Sequence, residues 1–169
     1  MAGLAGQAQP LFWEVITFWD MLQKFPALRQ RDAMDCGPTC LAMIAQASGA
    51  YFSLDQLREW AGINRQGVSL HGLGLAAERM GYATLPMMLD LEMLRTHAPL
   101  PAILHWRQRH FVVLVKLGRR HAWIADPASG LLRLSIHELC EGWLESGPEA
   151  AVLLLETTPA FPTQSQKER

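Results

Sequence analysis

The sequence predicts an α+β domain, and three observations carry that reading. Helix-like segments crowd the first half of the chain and strand-like segments the second. The apolar runs of the second half, FVVLV at 111–115 and AAVLLL at 150–155, are strand-sized, far short of the roughly 18 apolar residues of a membrane span. Two apolar runs flank a glycine-centred break, KLGRR at 116–120, which is a hairpin signature. Helices first and mostly antiparallel strands afterwards imply N-terminal helices packed on an antiparallel sheet, and 169 residues suit one such domain.

The elements follow from local signals. Residues 11–24, LFWEVITFWDMLQK, put Glu14, Thr17, Asp20 and Lys24 on one side of a helix and Val15, Phe18, Trp19 and Leu22 on the other. Such a helix either packs on the core or lies on a membrane surface or a partner. Pro38 suits the first turn of a helix to about Ser48, which Gly49 ends. Ser53 and Gln56 have capping-box spacing for a helix over 54–61. A third helix fits LHGLGLAAERM and stops at Gly81. Strands are expected at 82–88, 101–106, 110–117, 121–126 and 131–134. Ser135 and Glu138 start a helix to about Trp143, and 150–156 is the last strand. The tail PAFPTQSQKER reads as polar and loose.

Composition narrows the function. Net charge is −1 and no basic patch stands out, which argues against nucleic acid. A phosphate-loop pattern is absent, so nucleotide hydrolysis does not belong to this chain. The start MAGLAGQAQP lacks the basic and apolar regions of a secretory signal. Three cysteines are too few, and odd in number, for a disulfide framework, which points to a reducing, cytosolic setting.

Two of those cysteines sit four apart in QRDAMDCGPTC, residues 30–40. Cys36 precedes Gly37 and Pro38, so it occupies a helix entrance, where unpaired N–H groups and the positive end of the dipole favour a thiolate. Gly37 would let a substrate backbone come close. A cysteine at such a place is either a nucleophile or a small buried hydrophobe. Cys40, one turn on, reads as core. A metal site of Cys36, Cys40, His137 and Cys140 is the other arrangement these residue types allow.

A nucleophilic cysteine needs a base, and the base needs an orienting group. In HFVVLVKLGRRHAWIADP a three-residue loop at 117–119 pairs Lys116 with Arg120 and, further along, His110 with Asp126. Directly opposed residues have Cβ atoms about 4.5–5.5 Å apart, the separation at which a carboxylate holds an imidazole. A two-residue loop would instead set His110 against Pro127. The pair reads as a catalytic couple or as a surface ion pair. Gln30 lies six residues before Cys36 in a turn-like stretch. There it is either an oxyanion donor beside the Cys36 N–H or a solvated loop glutamine.

Taken together, Gln30, DCGPTCLAMI at 35–44, HWRQRHFVVL at 105–114 and ADPASG at 125–130 resemble the N-terminal peptidase domain of bacteriocin-processing ABC exporters. These are papain-like cysteine peptidases that cut leader peptides after a double-glycine motif. The resemblance implies that Cys36 is the nucleophile, His110 the general base, Asp126 the orienting acid and Gln30 the oxyanion donor. It implies no cofactor and no metal. The implied partners are a precursor peptide with a double-glycine leader and the membrane and ATPase domains of an exporter, at the cytoplasmic face of the inner membrane. It covers about residues 28–158, leaving 1–27 as an extension and 159–169 as a tail or linker. Arg109 stands where the family often has asparagine. A relative that docks its substrate without cutting it is the alternative, as is a metal-binding structural domain. The Met-rich LPMMLDLEML at 85–94 is expected either to line a groove for an amphipathic leader helix or to form a core strand and helix.

Overall fold

The structure is a computed structural model that describes residues 24–162, so most of the amphipathic segment 11–24 lies outside the described residues. Three helices come first: α1 (Cys36–Ala47), α2 (Leu54–Ala61) and α3 (Leu70–Met80). They are followed by β1 (Tyr82–Leu89), α4 (Leu91–His97), β2 (Ala102–Trp106), β3 (His110–Leu117), β4 (His121–Asp126), β5 (Gly130–Ser135), α5 (Ile136–Trp143) and β6 (Ala150–Thr157). The strands form one six-stranded antiparallel sheet in the order β1-β6-β2-β3-β4-β5.

Caps set the helix boundaries where the sequence places them. Ser53, Ser69 and Ser135 each accept a hydrogen bond from the backbone N–H three residues on, and Ser135 with Glu138 completes a capping box. Gly62 and Gly81 end α2 and α3 in the left-handed conformation.

The strands read as continuous apolar runs because the central sheet is buried on both faces. Ile103, Val113, Ala125 and Leu153 pack with α1, α2 and α3 in one core. Leu104, Val112, Ile124 and Val152, each one residue along, pack with Leu94 of α4 and with Leu139 and Trp143 of α5 in a second core. The expectation of helices packed on an antiparallel sheet therefore holds, with α4 and α5 added on the far face. Cys36 through Ala45 are all buried, so α1 is the central helix of its layer.

The tail departs from the loose reading at its start. Phe161 is buried in the first core, with its ring 4.8 Å from that of Tyr82. One large aromatic outweighs the polar composition around it, since burying such a side chain stabilises by about 1.5–3 kcal/mol.

Candidate active site

The site lies where the entrance of α1 meets the end of the sheet that carries His110 and Asp126. Asp32 builds the approach to the helix. Its carboxylate accepts the Met34 N–H at 2.8 Å, and its carbonyl accepts the Asp35 N–H at 3.2 Å. Cys36 then opens α1, and Thr39 N–H bonds back to the Asp35 carbonyl at 2.9 Å. Gly37 has a packing part as well. A Cβ there would come within 2.8 Å of the Leu73 side chain, so its small size serves close packing of α1 on α3.

His110 and Asp126 meet, but not through the register expected. The pairs Val113 with Ala125 and Leu114 with Ile124 give way to Lys116 with Trp123, so Val115 is an extra residue in β3, a bulge. Continued toward the site, the pairing sets Val112 opposite Asp126 and places His110 and Asp126 diagonally, two residues apart in register. An even offset keeps both side chains on one face. Regular pairing from the hairpin tip would have placed 113 opposite 126 and sent the two side chains to opposite faces. The bulge corrects that parity. His110 Nε2 lies 2.5 Å from Asp126 Oδ1. This leaves Nδ1 as the ring nitrogen for the cysteine side.

The electrostatics fit a charged couple. The hydrogen bond to Asp126, then one to Cys36, push the His110 imidazole from 6.5 up to about 9 against the opposing effect of burial. Burial pushes the Asp126 carboxyl up, but hydrogen bonds from His110 and the Ala128 N–H outweigh it and hold the group below its ordinary value. Cys40 is different. Burial, with the nearby charges of Cys36 and Asp126, pushes its thiol well up, and its Sγ donates to the Phe111 carbonyl at 3.4 Å. It is a neutral core thiol beneath the site.

Gln30 is docked beside this couple by its backbone, whose N–H donates to the Pro127 carbonyl at 2.9 Å. Its side-chain Nε2 donates to the Asp32 carbonyl at 2.9 Å, which occupies one of its two N–H bonds.

Asp35 was not singled out by sequence. Its carboxylate is fully buried beside the nucleophile candidate, and Arg58 Nε of α2 answers it at 3.4 Å. The signal was present in the DCG motif, but nothing in the sequence linked it to Arg58. Among the described residues no group of three or more His, Cys, Asp or Glu is placed to hold a metal ion. The metal arrangement fails because α1 belongs to one core and α5, which carries His137 and Cys140, to the other. His137 instead faces Glu141 at 3.0 Å.

With its helix layer set against an antiparallel sheet in this way, the fold is that of the papain-like cysteine peptidases. Residues 24–149 match the Peptidase C39 family. The colicin V secretion/processing ATP-binding protein CvaB of Escherichia coli is 35% identical over 130 residues, 76% of this chain and 18% of that protein. The lactococcin-G-processing and transport ATP-binding protein LagD of Lactococcus lactis is 34% identical over 119 residues, 68% of this chain and 17% of that protein. The chain thus spans under a fifth of the length of these relatives. Among solved structures, a double glycine motif protease from an AMS/PCAT transporter, in complex with the leader peptide, superposes with a TM-score of 0.73 at 28% identity, covering 79% of this chain and 91% of that one. The peptidase domain of Streptococcus ComA gives 0.69 at 27% identity, covering 78% and 97%. The chain belongs to the Peptidase C39 family, as a peptidase domain of the kind found in bacteriocin-processing transporters.

Proposed function

We propose that this domain cuts leader peptides of bacteriocin-like precursors after a Gly-Gly type motif, as part of ABC-transporter export, with Cys36, His110, Asp126 and Gln30 as its machinery. The observation that carries the site assignment is the 2.5 Å His110–Asp126 contact with Cys36 against the same imidazole. The Cys36 thiolate attacks the carbonyl carbon of the second glycine, forming a C–S bond and a tetrahedral oxyanion. The Cys36 N–H and the second Nε2 hydrogen of Gln30 donate to that oxygen. Collapse of the intermediate breaks the C–N bond, and the His110 imidazolium gives its proton to the leaving amine. His110, now neutral, takes a proton from water as it attacks the thioester. The leader acid departs, and the thiolate–imidazolium pair is restored.

For the leader, the 85–94 stretch divides. Leu89 and Leu94 are core, whereas Leu85 and Met88 are 54% and 57% exposed. By strand alternation those two face opposite sides of β1. Met88 lines a cleft with His105, Gln108, Trp143 and Ala151 at the same end of the sheet as His110. That position supports Met88 as a leader contact, whereas Leu85 lines a separate cleft with His97, Pro99 and Leu154. The relatives' names support membrane and ATPase partners for the working protein. The test is incubation with leader peptides encoded near this chain, read by mass spectrometry. Cleavage after the glycine pair is expected. An intact leader, with Cys36 inert to a thiol probe, would instead identify a docking domain.

A further inference from the structure

Arg29 and Gly130 have no part in the chemistry above, yet they meet directly behind it. Arg29 Nη1 donates to the Ala128 carbonyl at 2.8 Å, and the next residue, Gln30, donates its N–H to the Pro127 carbonyl at 2.9 Å. The segment 29–30 is therefore strapped along the β4–β5 turn by two consecutive residues. That turn is folded around Asp126. The Ala128 N–H donates to Asp126 Oδ1 at 2.8 Å, and the Ser129 N–H donates to the Asp126 carbonyl at 3.1 Å. Gly130 is the ladder partner of Asp126. It has φ +91°, and Arg29 Nη2 lies 3.1 Å from the point where its Cβ would be. A side chain at 130 would thus be strained and would also press on the guanidinium.

From this geometry we infer that Arg29, seated over Gly130, is a positioning residue that locks the turn following Asp126 to the loop bearing Gln30. One guanidinium then sets two distant parts of the machinery, the acid that orients His110 and the oxyanion donor. Ala128 is the link, since its carbonyl accepts from Arg29 while its N–H holds the Asp126 carboxylate. The catalytic purpose of the lock rests on the peptidase reading, whereas its effect on His110 does not.

The test is Arg29→Ala, with Arg29→Lys as the gentler variant, in the whole chain. His110 is titrated by NMR on ring-labelled histidine, and leader cleavage is measured alongside. The charged and titratable groups acting on His110 are Asp126 and Cys36. Two effects have opposite signs here. Removing a cation alone would raise the His110 midpoint, whereas loosening Asp126 lowers it. The expectation is a fall of about half a pH unit or more in Arg29→Ala, with Arg29→Lys between it and the wild type. The expected kinetic effect is a loss of roughly tenfold in kcat with KM within about twofold, as a misplaced group produces. A lower Tm with an unmoved or raised His110 midpoint in both variants overturns the inference. Should Arg29→Ala not fold, the Arg29→Lys titration decides alone. If the wild type cuts no leader but the midpoint still falls, the lock stands and the peptidase reading fails. If the wild type cuts and the midpoint is unmoved, only the lock fails.

Discussion

Asp126→Asn is the sharpest perturbation of the site, because it keeps the shape and removes the charge. The His110 midpoint stands at about 9 against an ordinary 6.5, with the Asp126 hydrogen bond as the largest cause. At about 1.4 kcal/mol per pH unit, that difference favours the imidazolium by roughly 3–4 kcal/mol, shared between Asp126 and Cys36. Asparagine keeps a hydrogen-bond partner but supplies no negative charge, so the midpoint should drop to about 7, with burial still opposing the cation. The folded-state pKa of His110 is raised, so its contribution to stability is complete below about pH 6.5 and is lost as pH rises through about 9. That of Asp126 is lowered, so its contribution is lost as pH falls below 3.8 and through its folded value. The wild type should therefore exceed Asp126→Asn in stability most clearly between about pH 4 and 6.5, and the gap should narrow as pH rises through about 9, leaving the part that the Ala128 N–H supplies. The assays are an NMR titration of His110, denaturant melts across pH, and the pH profile of kcat/KM. The alkaline limb of that profile should move from near 9 toward 7, with turnover reduced by about tenfold or more. An alkaline limb and a His110 midpoint unchanged in Asp126→Asn would refute the reasoning.

Cys36→Ala should abolish cleavage, while Cys40→Ser should keep it at a modest loss of stability; leader turnover and thermal melts distinguish the two thiols. Gln30→Ala should lower kcat by about 10²–10³ with KM little changed, since an oxyanion donor acts where charge develops. Equal kinetics would return Gln30 to a structural role in its loop. The β2–β3 turn holds Arg107 and Gln108 at φ 49° and 55°, a left-handed pair that suits Asn-Gly. Replacing them with Asn and Gly should stabilise the fold by about 1 kcal/mol or more, a Tm gain of roughly 2–4 °C, which calorimetry would show or deny.

How far the sequence reaches can be judged residue by residue. Cys36 was legible because Gly37 and Pro38 mark a helix entrance. The His110–Asp126 couple was legible through hairpin counting, although the counting itself was off. An extra valine within FVVLV leaves no mark on the apolar pattern, so the bulge at Val115 could not be foreseen. Long-range polar contacts were equally hidden. Arg29 and Ala128 are 99 residues apart, and neither carries a pattern that points to the other. Asp35 and Arg58 sit on separate elements, and only folding shows that the carboxylate is buried. The second core was missed for a simpler reason: strands buried on both faces lose the alternation that would say which residue faces which layer.

The bulge also decides which changes of chain length this hairpin can absorb. Val115 is the extra residue in the line between the tip and the catalytic end, and its partly buried side chain packs on the first core. A one-residue deletion there would let Lys116–Trp123 and Leu114–Ile124 stand as neighbouring rungs, with everything from Leu114 to His110 left in place. Loss or gain of a single residue within 110–114 or 124–126 has no such reserve, and would turn either the imidazole or the carboxylate away from its partner. One β-hairpin thus contains a stretch free to drift in length and a stretch held to its count. The tip beyond the bulge is not free in the same way, since Arg95 Nη1 donates to the Gly118 carbonyl at 2.7 Å and the Ile136 N–H to the Arg120 carbonyl at 3.1 Å.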